Sequence, residues 1–124
     1  MNSYTTLGTN NLEQAATFYE QLLTEIGGKR VVENDRMVMW SLGREKPSVA
    51  VLKPADGNQA TVGNGVMLGI GCDSHEVVNT LHAKALQLGA VDEGAPGPRG
   101  DGGVFYGGYF RDLDGNKLVF FKMG

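Results

Sequence analysis

Apolar positions along the chain fall into two recurring periods. From Tyr4 to Thr9 the chain is extended, Asn10 and Asn11 follow as a cap, and Leu12, Ala15, Ala16, Tyr19, Leu22, Leu23 and Ile26 then recur at helical spacing until Gly27-Gly28. Short β-type runs follow around Lys29 to Glu33, Arg36 to Leu42 and Ser48 to Leu52, separated by Asn34-Asp35 and by the segment from Gly43 to Pro47. The first half therefore predicts βαβββ. After a polar linker from Asp56 to Gly65 the order restarts. Val66 to Gly71 reads as a strand and Asp73-Ser74 as a cap. Val77, Val78, Leu81, Ala85 and Leu88 mark one helical face that Gly89 stops. Strands are then expected near Ala90 to Asp92, over Val104 to Asp112 and over Lys117 to Lys122, with a tight Asp-Gly turn before the last. An offset of 63 residues aligns Tyr4 with Met67, Asn10 with Asp73, Phe18 with Leu81 and Leu23 with Leu86. The fold class expected is α+β: two paired βαβββ modules, about 1–57 and 63–124, in one domain. Each would expose an apolar sheet face that has to be covered, leaving a cleft between or beneath them.

Composition narrows the function classes. The 124 residues are 41% hydrophobic and 20% charged, as in an ordinary globular domain. No apolar run approaches the roughly 20 residues of a membrane helix. The opening stretch has neither a basic nor an apolar targeting region, so no membrane association and a cytoplasmic location are expected. A net charge of -3, with Lys and Arg scattered singly, offers no stripe for a phosphate backbone, and nucleic acid is not expected as a partner. The lone Cys72 excludes an intrachain disulfide and reads as a small buried hydrophobe. His75 and His82, seven residues apart on the second helix, read as solvated or helix-flanking side chains. No Gly-x-Ser-x-Gly turn and no phosphate loop occurs. Asp112 and Asp114 read as shapers of the closing turn, with Gly115 taking a left-handed position. The glycine- and proline-rich segment from Gly94 to Gly103 reads as a flexible lid, and its Arg99 reads first as an exposed, solvated arginine and second as a clamp for a carboxylate or phosphate on a ligand.

Four stretches carry a family likeness: YTTLGTNNLEQAATFYEQLL, GVMLGIGCDSHEVVNTLHAKALQLGA, GAPGPR and FRDLDGNKLVFF. Together they span most of the chain, which resembles the vicinal-oxygen-chelate superfamily of glyoxalases, extradiol dioxygenases and bleomycin-resistance proteins, and within it the small single-domain glyoxalase-like branch. The resemblance implies a curved mixed sheet around a pocket where relatives commonly hold a divalent metal with two His and two Glu or similar ligands. The positions implied for those ligands are Tyr4 on the first strand, Val49 or Val51 on the fourth, Met67 on the fifth and Val119 on the last. A tyrosine phenol is the only lone-pair donor among them, so no metal and no other cofactor is expected. The ligand-binding residues expected are Tyr4, Thr6, Trp40, Met67, Arg99, Tyr106 and Val119, with Phe105 and Tyr109 on the same predicted strand as Tyr106. Strand alternation would bring about half of the aromatic set to the pocket. The function implied is a metal-free binding protein for a small, ring-bearing organic ligand, active as a homodimer. The alternative is an enzyme acting on a small organic substrate, either a glyoxalase-like lyase that uses a metal through an unorthodox ligand set or a metal-free isomerase using Tyr4 or Tyr106 as acid or base.

Overall fold

The computed structural model describes residues 3–124. The first half forms β1 (Tyr4–Gly8), α1 (Leu12–Leu23), β2 (Lys29–Glu33), β3 (Met37–Ser41) and β4 (Ser48–Leu52). The second forms β5 (Leu68–Gly71), α2 (His75–Gln87), β6 (Val91–Arg99), β7 (Phe105–Arg111) and β8 (Lys117–Met123). Contacts divide the chain into two compact units, Met1–Val62 and Gly63–Gly124. Each unit is a βαβββ module with a four-stranded mixed sheet, in the equivalent orders β1-β4-β3-β2 and β5-β8-β7-β6. In each, the first strand runs parallel to the last and the remaining neighbours are antiparallel.

In the first module Asn11 caps α1, its side chain accepting from the Gln14 amide at 3.0 Å. The helix ends at Leu23, and a 3-10 turn over Thr24–Ile26 replaces the last turn expected from periodicity. Ala15, Phe18, Tyr19, Leu22 and Leu23 are buried on its inner side. Strand register places Val38, Trp40, Val49, Val51 and Leu7 on one sheet face, and the Tyr19–Trp40 ring contact at 6.2 Å identifies that face as the one under α1. The indole Nε1 donates to Glu20 Oε1 at 2.7 Å, and Arg30 Nε donates to the same oxygen at 2.7 Å. Those two hydrogen bonds, Arg30's first, hold the Glu20 carboxyl below the usual carboxylate range.

In the second module Ser74 caps α2 by accepting from the Val77 amide at 3.1 Å. Val78, Leu81 and Ala85 on the helix, with Ile70, Phe110, Leu118 and Phe120 on the sheet, make the core. The Phe110 and Phe120 rings stack at 5.4 Å. His82 corrects the expectation of a solvated imidazole: it is 4% exposed, with Nε2 3.0 Å from the Tyr109 carbonyl and 3.2 Å from Asp92 Oδ1. A ring nitrogen between two acceptors carries a proton and donates, and this allows an imidazole inside the helix–sheet interface.

The segment expected to be a lid is mostly strand. β6 continues to Arg99 and pairs with β7 through Gly97↔Gly107, Pro98↔Tyr106 and Arg99↔Phe105, with two irregularities between Asp92 and Gly97. As an edge strand it tolerates Pro96 and Pro98, whose missing amide donors would break a central ladder. Residues 100–104, with a 3-10 turn over Asp101–Gly103, are left as loop before β7. The closing hairpin turn forms as the sequence implies. Asp112 Oδ1 accepts from the amides of Asp114 and Asn116, each at 2.9 Å, and Oδ2 accepts from Asn116 Nδ2 at 3.0 Å. Gly115 takes the left-handed backbone there, with φ of 93°.

Candidate ligand-binding site

The sheet of the second module buries one face under α2; the other face carries the candidate site. Register puts Val119 opposite Gly69 and Tyr109, and Phe121 opposite Gly71 and Gly107. Phe105, two residues before Gly107, points the same way. The Phe105 and Phe121 rings stack at 5.2 Å and 11°. The backbone beneath them is glycine for a steric reason. A Cβ on Gly107 would lie 2.7 Å from the Phe105 ring and 3.1 Å from Val119, and one on Gly69 would lie 3.3 Å from the Phe121 ring. Phe105, Tyr109 and Phe121 are half-buried, whereas Val119 is 2% exposed and forms the floor. Flat rings over a smooth backbone make an apolar shelf suited to another ring.

Two cations border this shelf. Arg99, in register with Phe105, folds back along β6 into the space left by Gly94 and Gly97. Its Nη1 donates to the Pro98 carbonyl at 3.2 Å and its Nη2 to the Ala95 carbonyl at 2.5 Å, and the guanidinium lies 5.4 Å from the Tyr109 ring centre. Lys117 Nζ lies 5.6 Å from the same ring.

Of the residues expected at the site, Arg99 and Val119 belong to this face. Met67 directly precedes β5 and is 45% exposed. Tyr106 points the other way, toward α2: its hydroxyl donates to Asn79 Oδ1 at 2.6 Å and its ring stacks on His75 at 4.0 Å. Trp40 is likewise a helix-side residue, fully buried under α1 rather than presented to a ligand. In the first module Tyr4, 59% exposed, and the exposed Thr6 lie on the sheet face away from α1. Ser48 and Ala50 share that face by register, so the β4 position implied for a ligand falls on them, and Val49 and Val51 turn toward the helix. The Ser48 hydroxyl is buried with no hydrogen-bond partner. Phe121 and the paired glycines of this face lie outside the set expected from the sequence. The signal that finds them is the parity of β8, where Leu118 and Phe120 face the helix and Val119 and Phe121 therefore face away from it.

A His and Glu donor set does not fit these residues. Tyr4, Ser48, Ala50, Met67 and Val119 supply neither imidazole nor carboxylate, and no three His, Cys, Asp or Glu side chains converge among the described residues. Burial pushes the Cys72 thiol up to about 11, so it stays protonated at neutral pH and is a poor nucleophile. The first module also has a cavity of about 340 Å³ between α1 and the β2–β3 edge, with Leu12, Ala16 and Val38 at its base and Arg30, Glu33 and Lys53 around it. Its Arg30 is already paired with Glu20 and with Glu33.

Structural comparison gives the class first: a crystal structure of a glyoxalase/bleomycin resistance protein from Albidiferax ferrireducens T118 matches over 98% of both chains, with 31% identity and a TM-score of 0.88. This chain belongs to the glyoxalase/bleomycin resistance/dioxygenase superfamily. A hypothetical protein from S. aureus matches at 26% identity over 97% of this chain and 91% of its own, with a TM-score of 0.72. A glyoxalase/bleomycin resistance protein/dioxygenase family enzyme from Burkholderia phytofirmans PsJN shares the fold at 17% identity, over 98% of both chains and with a TM-score of 0.77. No family model and no curated protein matches the sequence.

Proposed function

We propose that this protein binds a small, ring-bearing organic molecule on the sheet face of the second module away from α2, and binds it without a divalent metal. The observation that carries this reading is the stacked Phe105–Phe121 pair over Gly69 and Gly107, beside Tyr109 and Val119. Half-buried aromatic surface of this kind retains apolar area to lose on binding, and stacking adds about 0.5–1.5 kcal/mol per ring pair. The misfit of the donor set favours binding over metal-assisted chemistry. Tyr106, one of the two candidate acids or bases, is engaged by Asn79 and His75 on the helix side. Saturation-transfer NMR with 2-naphthol should show ring contact in the wild type and lose it in Gly107→Val, whose added atoms displace the Phe105 ring, with a melting curve to establish that the variant stays folded. Equal transfer to both proteins would refute this location.

The protein is further proposed to act as a homodimer. Val31 of the first module and Val66 and Val104 of the second are more than half exposed, and small modules commonly cover such surface by pairing. Light scattering at tens of micromolar should give twice the chain mass of 13.3 kDa. A monomer mass would count against it.

A further inference from the structure

We propose that the ligand of the aromatic shelf is an aromatic anion, a ring carrying a carboxylate or sulfonate; this rests on the binding reading above and specifies its substrate class. The observation is the convergence of Arg99 and Lys117 on Tyr109. The guanidinium lies 5.4 Å and the ammonium 5.6 Å from one ring centre, at the border of the Phe105–Phe121 stack. Arg111, on the same face two residues beyond Tyr109, is neutralised by Glu93 at 2.8 Å. Arg99 and Lys117 take part in none of the ion pairs found among the described residues. Both are half-buried, so their charge acts next to apolar surface rather than in bulk water. The geometry of Arg99 is held in advance. Two backbone carbonyls accept from its terminal nitrogens, and Gly94 and Gly97 leave the room its side chain occupies, with a Cβ at either falling 3.2–3.3 Å from those nitrogens. A cation fixed this way, with a lysine across the same ring, favours a ligand whose ring lies on the shelf and whose anionic group reaches its border.

The test compares 2-naphthoate with 2-naphthamide, which have the same rings and nearly the same shape and differ in charge. Their affinities are read by saturation-transfer titration at pH 7.5. The wild type should prefer the carboxylate by about tenfold, the scale of one charge-assisted contact. Lys117→Met keeps an apolar stem. It should cut the preference for naphthoate to about threefold, Arg99 remaining, and leave the amide within about twofold, since the amide draws on ring contact alone. Arg99→Gln should act in the same direction. Because it also loosens β6, its melting curve is recorded alongside, and the Lys117→Met result decides if it unfolds. Equal binding of the two compounds by the wild type, or a preference that Lys117→Met leaves undiminished, overturns the anion assignment and leaves ring binding intact. Binding of neither compound overturns the ring-binding reading itself. Affinity for naphthoate that falls as protein concentration rises would assign the shelf to a second copy of the chain, and this too overturns the proposal.

Discussion

Trp40→Ala should lower the folding free energy by about 3–5 kcal/mol, the range for removing a large buried aromatic. In a chain of this length that corresponds to a fall in Tm of roughly 10–20 °C. The side chain is fully buried, packs against Tyr19 and donates to Glu20, so its loss opens a cavity under α1 and removes one of the two donors on that carboxylate. Thermal and urea unfolding followed by circular dichroism measure it. A loss below about 1 kcal/mol would mean that the indole faces an open pocket rather than the core. The same cluster sets a pH dependence. Glu20 has its carboxyl held below 4.5 by Arg30 and then Trp40, so its contribution is complete above the pKa of the unfolded chain and is lost as pH falls through the lower folded value. Glu20→Gln should therefore be less stable than the wild type at neutral pH, and that difference should shrink as the pH is taken below 4.5. The effect is small, because Glu20 is 39% exposed.

The second large effect is expected at the closing turn. Asp112→Ala removes the acceptor for the amides of Asp114 and Asn116 and for the Asn116 side chain. Asp112 is only 5% exposed, so these donors are poorly compensated by water. A cost of about 2–4 kcal/mol is expected, with Asp112→Asn losing roughly half as much because one side-chain oxygen remains. Chemical denaturation should show the order wild type, Asn, Ala. An alanine variant as stable as the wild type would show that the turn is fixed by its backbone alone.

The order of elements was legible because its signals are local. Caps such as Asn11 and Ser74, the glycine stops, and the Asp-Gly turn act within a few residues, and the helical spacing of Tyr19, Leu22 and Leu23 needs no tertiary information. The choice of sheet face was much less legible. Alternation divides a strand into two faces without saying which one meets the helix. β4 buries Ser48, Val49, Ala50 and Val51 in succession, and β7 interrupts its pattern with Gly107 and Gly108, which have no side chains to read. Alternation therefore does not reveal that Trp40 and Tyr106 face the helices. Arg99 was expected at the site for a different reason from the one found. Glycine and proline suggested a mobile lid, but pairing with β7 along a sheet edge turns the same residues into a strand that holds the guanidinium against Tyr109. The burial of His82 is not legible in the sequence, because composition gives no sign of the two acceptors, the Tyr109 carbonyl and Asp92, that let an imidazole be buried.

The most direct test of ligand binding on this face is an amide-shift titration of isotopically labelled protein with 2-naphthoate. The account predicts saturable shifts at Gly69, Gly71 and Gly107, whose amides lie in the shelf, together with Tyr109, Val119 and Phe121, and little change at Leu12, Thr17 and Val38 around the first-module cavity. Shifts centred on Leu12, Thr17 and Val38, with the shelf glycines unmoved, would contradict it.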